Sequence, residues 1–79
     1  MEFLEAKRRE IDDIDDKLVN LLEKRFFVVK EVVDWKKSQS LPIEDKAREE
    51  AIKSRYFNSS FPEGFSDKFF NSLFDEAKK

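Results

Sequence analysis

An all-α fold of three helices, one long and two short, is what this sequence predicts. Three observations carry that expectation. Gly and Pro occur only at Pro42, Pro62 and Gly64, so the stretch from Met1 to Leu41 holds no helix breaker. Apolar residues recur through that stretch at a seven-residue spacing. No segment alternates as a strand would, and no internal repeat or low-complexity tract is present. The 79 residues suffice for one small domain, expected to span residues 1–79.

The first element is expected from about Glu2 to Ser38. Leu4, Ile11, Leu18 and Val32 share one position of the heptad; Ile14, Leu21, Val28 and Trp35 share the other. Glu10, Asp13, Lys17, Asn20, Lys24 and Lys30 fall on the outward face, completing an amphipathic pattern of about ten turns. The run Ser38-Gln39-Ser40-Leu41-Pro42-Ile43 is the first break. Asp45 reads as an N-cap, and Lys46 to about Phe57 as the second helix, with Ala47, Ala51 and Ile52 on one side. Residues Asn58 to Gly64 have the types of a loop. Ser66 is expected to cap a third helix ending at Ala77. Phe65 and Phe70 are placed to form a hydrophobic staple across its start. Phe69, Phe70, Leu73, Phe74 and Ala77 make its buried stripe.

Composition narrows the chemistry. Apolar residues make up 39% of the chain and charged ones 43%, and no run approaches the ~20 apolar residues of a membrane span. The N-terminal ten residues lack the apolar core of a signal peptide. There is no Cys and no His, which excludes disulfides, thiol nucleophiles, Ser-His-Asp triads and nearly all zinc catalysis. Sixteen Lys and Arg against eighteen Asp and Glu leave a near-neutral chain, not a global nucleic-acid binder. The expectation is a soluble cytoplasmic domain. Any catalysis must proceed without imidazole or thiol.

Length bears on assembly. A helix of about 37 residues is ~55 Å long, whereas a compact monomer of this size is roughly 30 Å across. Two short helices cannot cover the whole stripe, and no break allows the long helix to fold back. A homodimer with the long helices packed on each other is therefore expected.

Charged residues that interrupt the pattern are the candidate site. Arg25 occupies the heptad position of Leu4, Ile11, Leu18 and Val32. A cation in an apolar stripe needs a partner or a path to water, so a buried salt bridge or a snorkelling side chain is one reading. Lys36 follows by eleven residues, within about 20° of the same azimuth and ~16 Å along the axis. Arg48 can add a third cation if the second helix packs back. Three converging cations describe a site for a small dianion. Arg8 lies ~25 Å from Arg25, too far to share one ligand within a chain. In an antiparallel dimer it would enter the partner's pocket; otherwise it joins Lys7 and Arg9 in a solvated patch. Asp45 and Glu49 stand four residues apart on the second helix, as an acid/base or metal-binding pair, or as a cap and a surface ion pair. The run Asp12, Asp13, Asp15, Asp16 lacks the Gly turn of a calcium loop and reads as a solvated face.

The run Arg8-x-x-Ile11-Asp12-x-Ile14-Asp15-x-x-Leu18-x-x-Leu21-Leu22-x-x-Arg25 resembles the first helix of the all-helical chorismate mutases. Lys36 and then Leu41-Pro42-Ile43-x-Asp45-x-x-Arg48-Glu49 continue the resemblance in register. It is good over about residues 4–55, with six polar positions at matching spacings, and weaker through Phe69-Phe70-x-x-Leu73-Phe74. It implies an intertwined antiparallel homodimer of three-helix chains. It also implies rearrangement of chorismate to prephenate, in aromatic amino acid biosynthesis on the shikimate pathway, with no cofactor and no metal. Arg25 and the partner copy's Arg8 would bind the two carboxylates, with Arg48 helping. Lys36 would hydrogen-bond the ether oxygen. Glu49 and the backbone near Asp45 would take the ring hydroxyl. The resemblance departs at the third helix, where Ala77 replaces an expected Ser and a following Gln or Glu would fall past Lys79. Lys78 or Lys79 is the nearest substitute, and terminal residues hold geometry poorly.

Two other readings share these residues. One is an isochorismate–pyruvate lyase, built on a similar scaffold and cation set. The other is a non-catalytic regulatory helical dimer that binds an aromatic product or another shikimate-pathway enzyme. No nucleic acid and no membrane is expected as a partner.

Overall fold

The structure is a computed structural model in which residues 1–56 and 60–78 are described. It is helical, with no strand among the described residues: α1 (Glu2–Ser38), α2 (Lys46–Arg55) and α3 (Phe65–Ala77). Phe57, Asn58 and Ser59, where the second helix was expected to end and the loop to begin, lie outside the described residues, as does Lys79. Among the described residues no helix is long and apolar enough to cross a membrane.

The chain divides into two compact units, Met1–Glu31 and Val32–Lys79. The first is a single stretch of α1, whose bounds match the expected ones. Glu2 and Glu5 lie in its first turn, where carboxylates favour the helix dipole. None of the side chains of α1 is buried. The apolar stripe stands as open as the polar face: Ile14 is 56% and Leu21 61% exposed.

The second unit begins with the last two turns of α1, from Val32 to Ser38. Gln39 caps the helix, and Ser40 takes a left-handed conformation with φ 56°. The Leu41 N–H donates to the Lys36 carbonyl at 2.8 Å and the Ser40 N–H to that of Lys37 at 3.2 Å. This is a Schellman ending, and Pro42 just beyond it cannot extend the helix. Asp45 caps α2 as expected, its Oδ1 accepting the Arg48 N–H at 3.0 Å. A helix of only 10 residues gains much from such a cap.

Helix α3 packs against α2 and supplies the core. Leu73 and Phe74 are 6% and 8% exposed, and Phe69, Phe70 and Ala77 are half-buried, the stripe read from the sequence. The rings of Tyr56 and Phe70 stack at 5.6 Å, and Phe70 stacks on Phe74 at 6.2 Å. Lys53 Nζ reaches from α2 to Asn71 Oδ1 at 3.3 Å.

The start of α3 differs from the expectation. Gly64, at φ 77°, is the N-cap and makes no side-chain cap bond. Ser66 lies inside the first turn, buried, and its Oγ donates to the Tyr56 carbonyl at 3.3 Å. The hydroxyl satisfies a carbonyl at the end of α2, which a capping geometry would leave unmet. The staple also differs: Phe65 stacks on Phe69 at 5.7 Å, because a start at Phe65 puts Phe69, not Phe70, one turn away.

Candidate functional site

Four of the six sequence-derived site residues belong to the second unit. Lys36, in the last turn of α1, is half-buried. Its carbonyl accepts the Leu41 N–H, and its Nζ donates to the Ile43 carbonyl at 3.4 Å. The Schellman turn thus brings the Ile43 carbonyl within reach of the lysine ammonium. An ammonium carries three donors, so this single bond leaves capacity for a ligand oxygen.

Asp45, Arg48 and Glu49 come together at the start of α2. The Asp45 carboxylate is committed to the cap. Arg48 is exposed, its backbone N–H held by that cap. Glu49 is half-buried, with a side chain 20% exposed. Its Oε2 lies 3.2 Å and its Oε1 3.4 Å from Lys78 Nζ, and the same ammonium reaches Glu44 Oε1 at 3.3 Å. Lys78 is held above the ordinary lysine pKa of 10.5, chiefly by its hydrogen bond to Glu49, with Glu44 adding and desolvation opposing. Sequence reasoning reached Lys78 only as a substitute donor for a substrate and missed Glu44 altogether. The signal available was a pair of glutamates, Glu44 and Glu49, flanking a cap with no cation of opposite sign assigned to them.

Arg8 and Arg25 belong to the first unit. Arg8 is exposed. Arg25 is half-buried, although Leu18, Leu21 and Val28 around it in the stripe are half or more exposed. Lys7 pairs with Glu10 at 3.1 Å, one turn along the same helix. Among the described residues no three acidic groups gather closely enough to hold a metal ion.

Cations spaced along one helix, with a capped acidic turn following, match a known pattern. The sequence fits the family described as chorismate mutase type II over residues 7–78. The chain belongs to this family. The match takes in Arg8, Arg25, Lys36, Asp45, Arg48 and Glu49, and extends through Lys78. The chain is also 36% identical over 55 residues to a chorismate mutase of Methanocaldococcus jannaschii. That alignment covers 70% of this chain and 56% of the relative, so the chain spans about half the length of the curated relative it matches. No solved structure gives a significant match. Among type II chorismate mutases the all-helical architecture seen here is the expected one, and the third helix, the weakest part of the sequence resemblance, lies within the family match.

Proposed function

We propose that residues 1–79 act as one chorismate mutase domain, rearranging chorismate to prephenate as an intertwined antiparallel homodimer in the cytoplasm. The observation that carries the reading is the family match across residues 7–78, which includes every cation and carboxylate assigned to the site.

The chemistry suits the residues. The rearrangement is pericyclic: the ether C–O bond breaks as a C–C bond forms, with no proton transferred and no covalent intermediate. A chain without His or Cys lacks nothing that this requires. Two demands remain. The substrate must be held in a compact chair-like geometry, which converts binding into lowered activation entropy. The ether oxygen, gaining negative charge as its bond to carbon breaks, must meet fixed positive charge. Arg25 and the partner copy's Arg8 hold the two carboxylates, and Arg48 assists. Lys36 donates to the ether oxygen. Glu49 and the backbone near Asp45 receive the ring hydroxyl.

The homodimer follows from the same physics. A stripe containing Ile11, Ile14, Leu18, Leu21 and Val28, each half or more exposed, is larger than a stable monomer leaves open to water. A second copy of the helix presents the same spacing and covers it isologously. It also carries Arg8 to the neighbouring site.

The test is direct. The purified chain should remove chorismate absorbance, and Lys36→Ala should lower kcat by roughly 10²-fold or more, as loss of an oxyanion donor does. Near wild-type turnover in that variant would remove Lys36 from its role. Pyruvate release from isochorismate, without chorismate turnover, would assign the lyase reaction instead. Inertness toward both would leave a non-catalytic dimer.

A further inference from the structure

We infer that Lys78 is a positioning residue: it fixes the Glu49 carboxylate as acceptor for the substrate's ring hydroxyl and so sets the preference for a hydroxylated ring. The inference rests on the mutase reading above and extends it to a residue that none of the comparisons assigns.

Three features argue for it. The first is geometry. Lys78 Nζ spans both oxygens of Glu49, at 3.2 and 3.4 Å, and Oε1 of Glu44 at 3.3 Å. Three acceptors match the three donors of an ammonium, so its hydrogen-bonding capacity is fully used. The second is anchoring. Lys78 is the C-cap of α3, its backbone N–H bonded to the carbonyls of Asp75 and Glu76. The side chain therefore starts from a fixed point and ties the segment before α2, α2 itself and α3 to one atom. A cation is also favoured at a helix C-terminus. The third is charge. Glu44 and Glu49 converge on the same spot beside the Asp45 cap. Without the cation, these carboxylates repel, and Glu49 turns away from the position it holds.

An ion pair this open to water adds little to stability, so orientation is the contribution that distinguishes it. A carboxylate gripped from one side still has lone pairs free on the other. Glu49 can accept a hydroxyl without releasing Lys78. Misplacement of such a group by a fraction of an ångström is costly to a reaction that depends on the fixed geometry of its substrate.

The test uses the full chain as Lys78→Met, Lys78→Arg, Glu49→Gln and the Lys78→Met/Glu49→Gln double variant. Each is assayed on chorismate and on the analogue with hydrogen in place of the ring hydroxyl. Lys78→Met should lower kcat/KM on chorismate by about tenfold or more and leave the analogue unchanged. Lys78→Arg should restore most of the loss. In the Glu49→Gln background, Lys78→Met should add nothing, because the two act as one unit. Equal losses on both substrates, or the full loss persisting beside Glu49→Gln, would overturn the positioning role. Should Lys78→Met fail to fold, Lys78→Gln removes the cation while keeping a polar side chain: a loss on chorismate that spares the analogue supports the role, and equal losses on both substrates, or none, overturn it. A wild-type chain inactive on chorismate overturns the mutase reading and this inference with it; an active wild type matched by Lys78→Met overturns this inference alone.

Discussion

The stretch Met1–Glu31 and the stretch Val32–Lys79 meet the same problem with opposite resources. The first has apolar side chains at regular spacing and a single helix to carry them, so none is buried. The second is less densely apolar but has two helices that face each other, and it buries Leu73 and Phe74 between them. Regular patterning alone therefore makes a helix, and a core needs a second surface. In the second unit α3 packed on α2 provides that surface. In the first it must come from outside the unit, and on the reading proposed here it is another copy.

The largest expected effect breaks the first unit. Ile14 is more than half exposed in one chain, and a substitution at such a position ordinarily changes stability by under about 0.5 kcal/mol. Under the dimer reading, Ile14→Asp puts an unpaired carboxylate into a dry interface, at about 3–5 kcal/mol per copy. Sedimentation should show loss of the dimer, and circular dichroism a large fall in helicity, since an isolated helix is marginal in water. A dimer of unchanged affinity would place the interface elsewhere.

Next comes the core of the second unit. Phe74→Ala should cost about 3 kcal/mol, the lower part of the range for a buried Phe. It removes one of the two buried apolar residues among those described and takes from Phe70 the ring stacked on it at 6.2 Å, leaving it the stack on Tyr56 at 5.6 Å. Urea unfolding followed at 222 nm would read the loss. A cost below about 1 kcal/mol would mean that α2 and α3 are held by something other than their own contact. Asp45→Ala acts on the same unit through its cap, at about 1 kcal/mol, and Asp45→Asn should recover most of it. The Asn variant separates the cap from any wider role of the carboxylate in catalysis.

How much was legible from sequence follows the same division. The bounds of α1 were readable because a long breaker-free repeat has a single regular solution. The start of α2 was readable because Asp45 acts on its own neighbour, Arg48. The start of α3 was misread because Ser66 is a good cap by local rules, yet its hydroxyl serves the distant Tyr56 carbonyl. The same reason hid Lys78. Its partners Glu44 and Glu49 lie 34 and 29 residues away, and local spacing carries no trace of an ion pair at that range. Arg25 and Lys36 stood out because each breaks or extends a local pattern. The grouping of Lys36 with Arg48 rested on a condition, that the second helix packs back along the first, which local spacing does not fix.

The smallest effect probes the turn inside the second unit where the long helix ends and the chain heads toward α2. Ser40 holds φ 56°, a region that costs a residue bearing a Cβ about 1 kcal/mol or more. Gly occupies it freely, but loses more chain entropy on folding, by about 0.4–1 kcal/mol. The difference predicts that Ser40→Gly raises stability by on the order of 0.5 kcal/mol, seen as a higher urea midpoint at an unchanged slope. Turnover should stay at wild type, because the Leu41 to Lys36 bond and the Ile43 carbonyl beside Lys36 Nζ depend on the backbone path and not on the serine hydroxyl. Ser40→Val tests the same turn with the opposite sign, since a β-branched residue fits poorly at positive φ. It should lower the midpoint and, by moving Ile43 away from Lys36, lower turnover as well. If Gly destabilises or Val is tolerated, the left-handed turn is not what sets the path from α1 into the site.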